Sequence, residues 1–246
     1  MPPRAARNPA VQTFRPIKDS PVHLRVFEAI RDAIFSGSLK PGEPLRELHL
    51  AKELQVSQAS VREGLAQLEN SGLVVRIPNK ETRVTKLSNR EVRERLEIRG
   101  SLEAMAWMAA SKRMRAQDYE QLCDKMTAIS LAVERNAYPA LAAADLEFHR
   151  YIWDNGGNPT LSRMLEQLTA PLFAFVSLVH SIKHDDLRQV VNSHERVISA
   201  LQNGGTRLIR ERLREHLARS YDDFLNSGAE DLHDWYRASE TAARKN

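Results

Sequence analysis

The chain has 246 residues, of which 42% are hydrophobic and 28% charged, so it has enough apolar content for one large folded domain or two of ordinary size. No run of about 18 apolar residues occurs, and no apolar stretch follows Arg4 and Arg7, which argues against a membrane span and a signal peptide. The single cysteine, Cys123, excludes an internal disulfide, favours a reducing cytoplasm and is predicted to be a small core residue.

The net charge of +4 is unevenly distributed. Residues 1–86 contain 14 Lys and Arg against 9 Asp and Glu, whereas the remaining residues contain 22 against 23. A basic first third joined to a near-neutral remainder favours a nucleic-acid-binding module with a non-binding partner domain. Residues 1–20 carry four prolines and four basic residues and are predicted to form a disordered basic arm.

Residues 21–86 have the pattern of a winged helix-turn-helix. An amphipathic helix is predicted over residues 23–36, and two short helices separated by a turn at Gln55–Val56 are predicted within residues 46–68. The β-rich run of residues 73–77 and the return run of residues 82–85 predict a hairpin. The hairpin distinguishes this module from an ordinary two-helix corner of a folded domain.

The second short helix has one apolar and one polar face. Ser57 is a suitable N-cap because its hydroxyl can accept a bond from a first-turn amide. Val61 and Leu65 share a face that points into a core, while Gln58 and Arg62 lie on the opposite face. This arrangement is typical of a recognition helix.

Residues 87–226 show helical periodicity without a competing strand pattern. Ser88 and Glu91 have the spacing of a capping box that begins the first of these helices. We predict an all-α bundle of six or seven helices and treat Pro171 as a helix break, because proline lacks an amide donor. The predicted helices span residues 88–113, 116–135, 138–154, 159–169, 171–182, 185–202 and 205–226. Residues 227–246 form a polar tail, and the predicted fold class is mainly α.

Four residues of types that can bind a metal ion lie on or beside the apolar faces of these helices. Asp145 and His149 are four residues apart and project from the same face, while His194 and His216 each lie beside an apolar stripe. Such residues are either buried, hydrogen-bonded polar groups or the ligands of a divalent cation. The remaining histidines lack such a pattern and are interpreted as surface or structural: His23, His49, His180, His184 and His233.

The chain resembles the GntR family of bacterial transcription regulators, in its FadR-type branch with an FCD ligand-binding domain. The resemblance covers residues 22–226. In the first third it rests on Gly37, Pro41-Gly42, Val56-Ser57, Val61-Arg62-Glu63, Gly72-Leu73-Val74 and Arg83-Val84. In the helical remainder it rests on Arg99-Gly100-Ser101-Leu102-Glu103, Asp145-Leu146-Glu147-Phe148-His149, Gly157-Asn158, His194 and Arg214-Glu215-His216-Leu217.

The resemblance implies that Arg46 and Arg62 contact DNA. The full set of expected DNA-binding residues is Arg46, Ser57, Gln58, Ser60, Arg62, Lys80 and Arg83. Two residues depart from the family pattern: Gln58 stands where arginine is common, and Glu81 stands where the wing tip usually has glycine. Because an amide pairs with adenine and arginine favours guanine, the operator is expected to differ at one base. Glu81 would be repelled by a phosphate, so the wing is expected to insert less deeply.

The resemblance also implies a ligand site in residues 87–226. Asp145, His149, His194 and His216 correspond to the metal ligands of the metal-binding relatives. Zn²⁺ is the expected cation, and Ni²⁺, Mn²⁺ or Fe²⁺ would suit the same ligands. Arg99 is expected to hold the carboxylate of an effector, and the alternative is a helix-surface ion pair between Arg99 and Glu103.

We therefore expect a cytoplasmic, homodimeric, DNA-binding regulator, most simply a repressor, with residues 87–226 serving effector binding and dimerisation. The effector would be a small organic acid, such as a sugar acid or dicarboxylate. One alternative is a purely structural metal without an effector. Another is a metal-dependent enzyme tethered to DNA, which is disfavoured because Glu147, two residues from Asp145, points elsewhere and supplies no spare general base.

Overall fold

The computed structural model describes residues 21–78, 81–183 and 187–225. The first 20 residues, Lys80 and the polar tail therefore lie outside the described residues. The N-terminal part contains α1 (Val22–Phe35), β1 (Pro44–Leu45), α2 (Glu47–Glu53), α3 (Gln58–Asn70), β2 (Val74–Ile77) and β3 (Glu81–Val84). The C-terminal part contains α4 (Asn89–Arg113), α5 (Ala116–Glu134), α6 (Tyr138–Asn155), α7 (Pro159–Lys183), α8 (Arg188–Asn203) and α9 (Thr206–Leu225).

The N-terminal part is the predicted winged helix-turn-helix with one additional strand. The antiparallel sheet has the order β1-β3-β2, so β3 is central. In the additional strand β1, Pro44 and Leu45 pair with Arg83 and Thr82 of β3. A strand of two residues is too short to produce a period-two pattern, which is why the sequence does not reveal it.

The recognition helix α3 begins as predicted. The Ser57 hydroxyl accepts a bond from the Ser60 amide at 3.1 Å. Val61, Leu65 and Leu68 are fully buried, so the apolar stripe packs into the core. Gln55 takes a left-handed φ of 53° at the turn between α2 and α3.

Gly64 in α3 looks unfavourable from helix propensity alone, and the packing of α1 explains it. A Cβ atom at this position would lie 2.7 Å from Val26 Cγ1 and 3.2 Å from the carbonyl oxygen of His23. Because real Cβ atoms do not approach neighbours so closely, glycine allows α1 and α3 to cross at short range. The close crossing explains why glycine stands here, although glycine costs about 1 kcal/mol in helix propensity relative to alanine.

The C-terminal part contains six helices within the described residues, in agreement with the predicted all-α bundle. The predicted capping box at the start of α4 is present: the Glu91 amide donates to Ser88 Oγ and the Ser88 amide donates to Glu91. Among the described helices, none is both long enough and apolar enough to cross a bilayer.

Two expectations for this part are wrong. Pro171 does not break a helix, because α7 continues through it from Pro159 to Lys183. Arg95 Nη1 on α4 instead donates to the carbonyl oxygens of Gln167 and Leu168, at 3.4 Å and 3.0 Å, and so satisfies the acceptors near the missing proline amide. Cys123 is exposed rather than a core residue.

Helix α7 also joins the two parts of the molecule. Its Ser177 hydroxyl donates to the carbonyl oxygen of Phe35, at the end of α1, at 2.8 Å, and both groups are buried. Gly72, at the end of the α3 region, has a φ of +78°, and a Cβ there would lie 2.5 Å from the Gln167 oxygen. The N-terminal part therefore packs directly on α7, which also contributes to the surroundings of the buried cluster described next.

Candidate functional sites

The four predicted metal ligands converge inside the C-terminal bundle. Asp145 and His149 come from α6, His194 from α8 and His216 from α9. One ligand atom from each lies within 4.8 Å of all the others. The three histidines are buried and Asp145 exposes 15% of its side chain, so water has little access to the cluster.

The closest distances suit donors that share one cation. His149 Nε2 lies 3.0 Å from His216 Nε2 and 3.4 Å from Asp145 Oδ1, while His194 Nε2 lies 2.8 Å from the same oxygen. Two donors that each bind one cation at about 2.0–2.2 Å lie roughly 3 Å apart. The residues present therefore fit a divalent metal ion.

The other ring nitrogen of each histidine faces an oxygen. His149 Nδ1 lies 3.1 Å from Glu103 Oε1, although the two are not aligned as a hydrogen bond. His194 Nδ1 lies 2.8 Å from the Val190 carbonyl oxygen, and His216 Nδ1 lies 2.9 Å from Ser193 Oγ. Such partners orient metal-binding imidazoles and leave the Nε2 lone pairs for the ion. Sequence reasoning did not identify these partners, because each contact except that of Val190 joins two different helices.

The ionisation of the cluster follows from burial and from the neighbouring charges. Burial raises the pKa of Asp145, but the combined attraction of His194, His149 and His216 outweighs burial and holds that pKa below its usual range. Burial, together with His194 and His149, lowers the pKa of His216 well below its ordinary value. Burial lowers the pKa of His194, but Asp145 together with the Val190 carbonyl oxygen outweighs burial and raises that pKa above its ordinary value. Asp145 is thus anionic, and a bound cation would replace the proton that His194 shares with it.

Arg99 lies at the edge of this cluster and is not a surface residue. It exposes 2% of its side chain and Glu103 exposes none, which rules out the surface ion pair considered from the sequence. Arg99 Nε donates to Glu103 at 3.1 Å, Nη1 donates to Tyr221 Oη at 3.2 Å, and Nη2 lies 3.5 Å from His149 Nε2. The guanidinium carbon also lies 4.8 Å from the centre of the Phe173 ring.

The ion pair fixes the charges of both partners. Burial raises the pKa of Glu103, but Arg99 and His149 together outweigh burial and lower that pKa. Burial lowers the pKa of Arg99, but Glu103, Tyr221 and Asp145 together raise it above its ordinary value. A guanidinium fork beside the ligand atoms can bind a carboxylate that reaches the same place. The site therefore combines four side chains that can bind a metal cation with the positively charged guanidinium of Arg99.

A second polar group lies on the exposed side of the N-terminal part. Gln58 and Arg62 on α3 are exposed, as their spacing predicted, and both contact Glu47 at the start of α2. Gln58 Nε2 lies 3.1 Å and Arg62 Nη2 3.0 Å from Glu47 Oε2. Arg46 is exposed at the N-cap position of α2. Ser57 and Ser60 are already bonded to each other through the helix cap.

In the wing, Arg83 contacts both the Gly42 backbone and the Glu81 side chain. Arg83 Nη1 donates to the Gly42 carbonyl oxygen at 2.7 Å, and Nη2 pairs with Glu81. The negative charge of Glu81 is therefore neutralised by Arg83 on the same strand, and Arg83 in turn has Glu81 as its partner. Lys80, the remaining predicted residue of the wing, lies outside the described residues.

Comparison with known proteins identifies both parts. Residues 23–84 match the family described as bacterial regulatory proteins, gntR family, and residues 94–219 match the FCD domain. The FCD match alone covers about half of the chain.

This chain belongs to the GntR family, in the branch that carries an FCD domain. Two curated relatives illustrate it. The "Probable D-xylose utilization operon transcriptional repressor" of Paenarthrobacter nicotinovorans is 29% identical over 186 residues, covering 75% of this chain and 80% of that protein. The HTH-type transcriptional repressor RspR of Escherichia coli is 26% identical over 220 residues, covering 88% and 94%.

A solved structure has the same fold. The structure titled "E. coli McbR/YncC" has a TM-score of 0.69 with 24% identity and covers 84% of this chain and all of that one. The family and its members are DNA-binding transcription regulators, so this GntR protein is a regulator and not an enzyme. The enzyme alternative considered from the sequence is therefore wrong.

Proposed function

We propose that this GntR protein is a homodimeric transcriptional repressor that releases its operator when a small carboxylate binds beside a divalent metal ion. The observation that carries the proposal is the position of Arg99, whose Nη2 lies 3.5 Å from His149 Nε2 in the buried four-residue cluster. A carboxylate can there meet a cation and a guanidinium at once. Repression, rather than activation, is supported by the names of the two relatives.

Asp145, His149, His194 and His216 would hold the metal ion. Zn²⁺ is the proposed ion because three imidazoles and one carboxylate suit it, and Ni²⁺, Mn²⁺ or Fe²⁺ would accept the same ligands. The ion would supply a Lewis-acid position for a carboxylate oxygen. Glu103, Ser193 and the Val190 carbonyl would keep the three imidazole rings in their orientation.

Arg99 would bind the same carboxylate from the other side. Its Nε is directed to Glu103 and its Nη1 to Tyr221, which leaves the Nη2 end nearest the metal ligands. Phe173 covers the face of the guanidinium and would keep water away from it. Because the surroundings are buried, the effector must be small enough to be enclosed. We propose a sugar acid, a dicarboxylate or a similar organic acid.

Helix α7 is the proposed route from this site to the DNA-binding part. Phe173 contacts Arg99 and lies 5.5 Å, between ring centres, from His149. One helical turn later, Ser177 donates to the Phe35 oxygen at the end of α1. A ligand that binds one position of α7 better than another would shift the population of both contacts.

The homodimer would place two recognition helices in successive major grooves of a near-palindromic operator. The contacting residues would be Arg46, Ser57, Gln58, Ser60, Arg62, Lys80 and Arg83. Of these, Arg46, Gln58 and Arg62 are exposed in the structure, whereas Arg83 is paired with Glu81. Half-exposed or exposed apolar side chains on α4, including Ile98 and Met105, are available for a dimer contact.

A structural metal ion without any effector is the second candidate. It is favoured by the number of protein ligands, because four donors complete the tetrahedral shell of a structural zinc site. Both candidates predict a protein stabilised by its metal. They differ in whether a carboxylate binds the metal-loaded protein.

The test is metal analysis of the purified full-length protein, followed by calorimetric titration of the metal-loaded form with a panel of sugar acids and dicarboxylates. We expect one divalent ion per chain, loss of that ion in His194→Ala, and retention in His49→Ala, whose histidine only pairs with Glu53 on the surface. We also expect at least one acid to bind and to release operator DNA, and Arg99→Lys to weaken that acid without removing the metal. Metal without acid binding would support the structural candidate.

A further inference from the structure

Two of the recognition-helix side chains that are proposed to contact DNA, Gln58 and Arg62, are held by the same carboxylate, that of Glu47. We propose that Glu47 is a positioning residue for sequence recognition: its carboxylate fixes Arg62 and Gln58 in one arrangement, so that they meet base edges instead of nearby phosphates. The inference rests on the proposed roles of Arg62 and Gln58. It concerns specificity, and the effector site plays no part in it.

The geometry is that of one carboxylate shared by two donors. Glu47 Oε2 accepts from Gln58 Nε2 at 3.1 Å and from Arg62 Nη2 at 3.0 Å. Arg62 Nε also faces the carboxylate, at 3.3 Å from Oε2 and 3.5 Å from Oε1, so one edge of the guanidinium is directed at Glu47. The contacts of Glu47 with Gln58 and Arg62 join residues that are 11 and 15 positions apart in the sequence, and they connect α2 to α3.

Glu47 is well placed to hold its charge and position. It is the first residue of α2, where the helix dipole stabilises an anion, and it exposes only 25% of its side chain. The bond from Arg62, aided by Gln58, holds the pKa of Glu47 below its usual range against the opposing effect of burial. Arg62 exposes 60% of its side chain and still faces solvent.

The contacts leave both partners able to read a base. Arginine has five N–H donors, so bonds from Nε and Nη2 leave others for the acceptors of guanine. With one N–H of Gln58 directed at Glu47, its amide oxygen and second N–H remain for a base edge such as adenine. Glu47 thus orients the amide, which could otherwise rotate by half a turn.

The charge of Glu47 gives this role a distinctive signature. A carboxylate beside Arg62 weakens the electrostatic attraction between that arginine and a DNA phosphate. Attraction to phosphates supplies most of the non-specific affinity for DNA. Removal of Glu47 should therefore leave non-specific affinity unchanged or raise it, while it lowers the preference for particular bases. A residue that merely supports the fold would lower both.

The experiment compares full-length wild type, E47A, E47Q and the control E53A. Glu53 lies on the same helix and is exposed, and its partner is His49 at 3.4 Å rather than Arg62 or Gln58. Each protein selects from a randomised duplex library, and binding to a duplex without the selected motif is measured by fluorescence anisotropy between 50 and 200 mM salt. R62A and Q58A assign the base positions that the two side chains read.

We expect E47A to reduce the base preference at those positions by about tenfold or more, without loss of affinity for the motif-free duplex. E47Q keeps an acceptor without the charge and should retain part of the preference. E53A removes the same charge from the same helix and should keep the wild-type motif.

An unchanged motif in E47A would overturn the inference. So would an equal loss of affinity for both duplexes together with a lower melting temperature, which would mean that Glu47 only supports the fold. If wild type selected no motif, the proposed operator binding itself would fail, and this inference with it. If wild type selected a motif that R62A and Q58A leave unchanged, the assigned roles of these two residues would fail, whereas the repressor proposal would stand.

Discussion

Two arginine–glutamate pairs of this protein have the same chemistry in opposite surroundings. Arg62 and Glu47 expose 60% and 25% of their side chains, whereas Arg99 and Glu103 expose 2% and none. Water screens the first pair, so the pair contributes little to the stability of the fold. The second pair has lost its water, so either partner left alone would be a buried, uncompensated charge. The exposed pair is suited to a surface that binds a partner such as DNA, and the buried pair is suited to a site whose geometry must stay fixed.

The largest expected effect is on the buried pair. Glu103→Ala should lower the free energy of unfolding by about 3–5 kcal/mol, because it leaves Arg99 charged and unpaired in the core. Urea unfolding of the purified protein measures the change. The double variant Arg99→Met with Glu103→Leu should recover most of the loss, since it removes both charges.

A matched control for this prediction lies on the same helix. Arg90 and Glu94 have the same spacing of four residues on α4 as Arg99 and Glu103, but they expose 86% and 53% of their side chains. Glu94→Ala should leave the unfolding midpoint nearly unchanged. If Glu94→Ala and Glu103→Ala had equal effects, burial would not be what distinguishes the two settings.

A smaller effect on the free energy of unfolding is expected from Gly64→Ala, which tests whether close packing against α1 holds the recognition helix α3 in place. The added methyl group would overlap Val26 and the His23 oxygen, so α1 and α3 must move apart. We expect a loss of about 1–3 kcal/mol in the free energy of unfolding despite the better helix propensity of alanine. Gly205→Ala is the control, since no atom lies within 4 Å of a Cβ there. A stabilised Gly64→Ala would contradict the close crossing of the two helices.

The smallest effect on stability is expected from the exposed pair. Arg62→Ala should leave thermal and urea unfolding close to wild type, because water replaces the lost contacts. The same variant should bind its selected operator about tenfold or more weakly, because a base contact is lost. Melting curves and anisotropy titrations on the same preparation check both statements. A large loss of stability in Arg62→Ala would show that the exposed pair is structural.

The sequence by itself determined the elements that depend on local pattern. The period of apolar residues gives the buried face of α3, and Ser57, Ser88 and Glu91 begin their helices because a cap needs only residues a few positions apart. The spacing of Asp145 and His149 likewise puts both on one face of α6, and the resemblance to GntR relatives supplied His194 and His216.

Only the tertiary structure decided contacts between distant parts of the chain. Glu47 reaches α3, and Glu103 reaches His149 on α6, because folding brings separate helices together. Pro171 shows the same principle within one element. Its missing amide predicted a break, but Arg95 on another helix satisfies the neighbouring carbonyl oxygens, and α7 continues. A local pattern states which groups need partners, and the packing of the whole chain decides which partners they find.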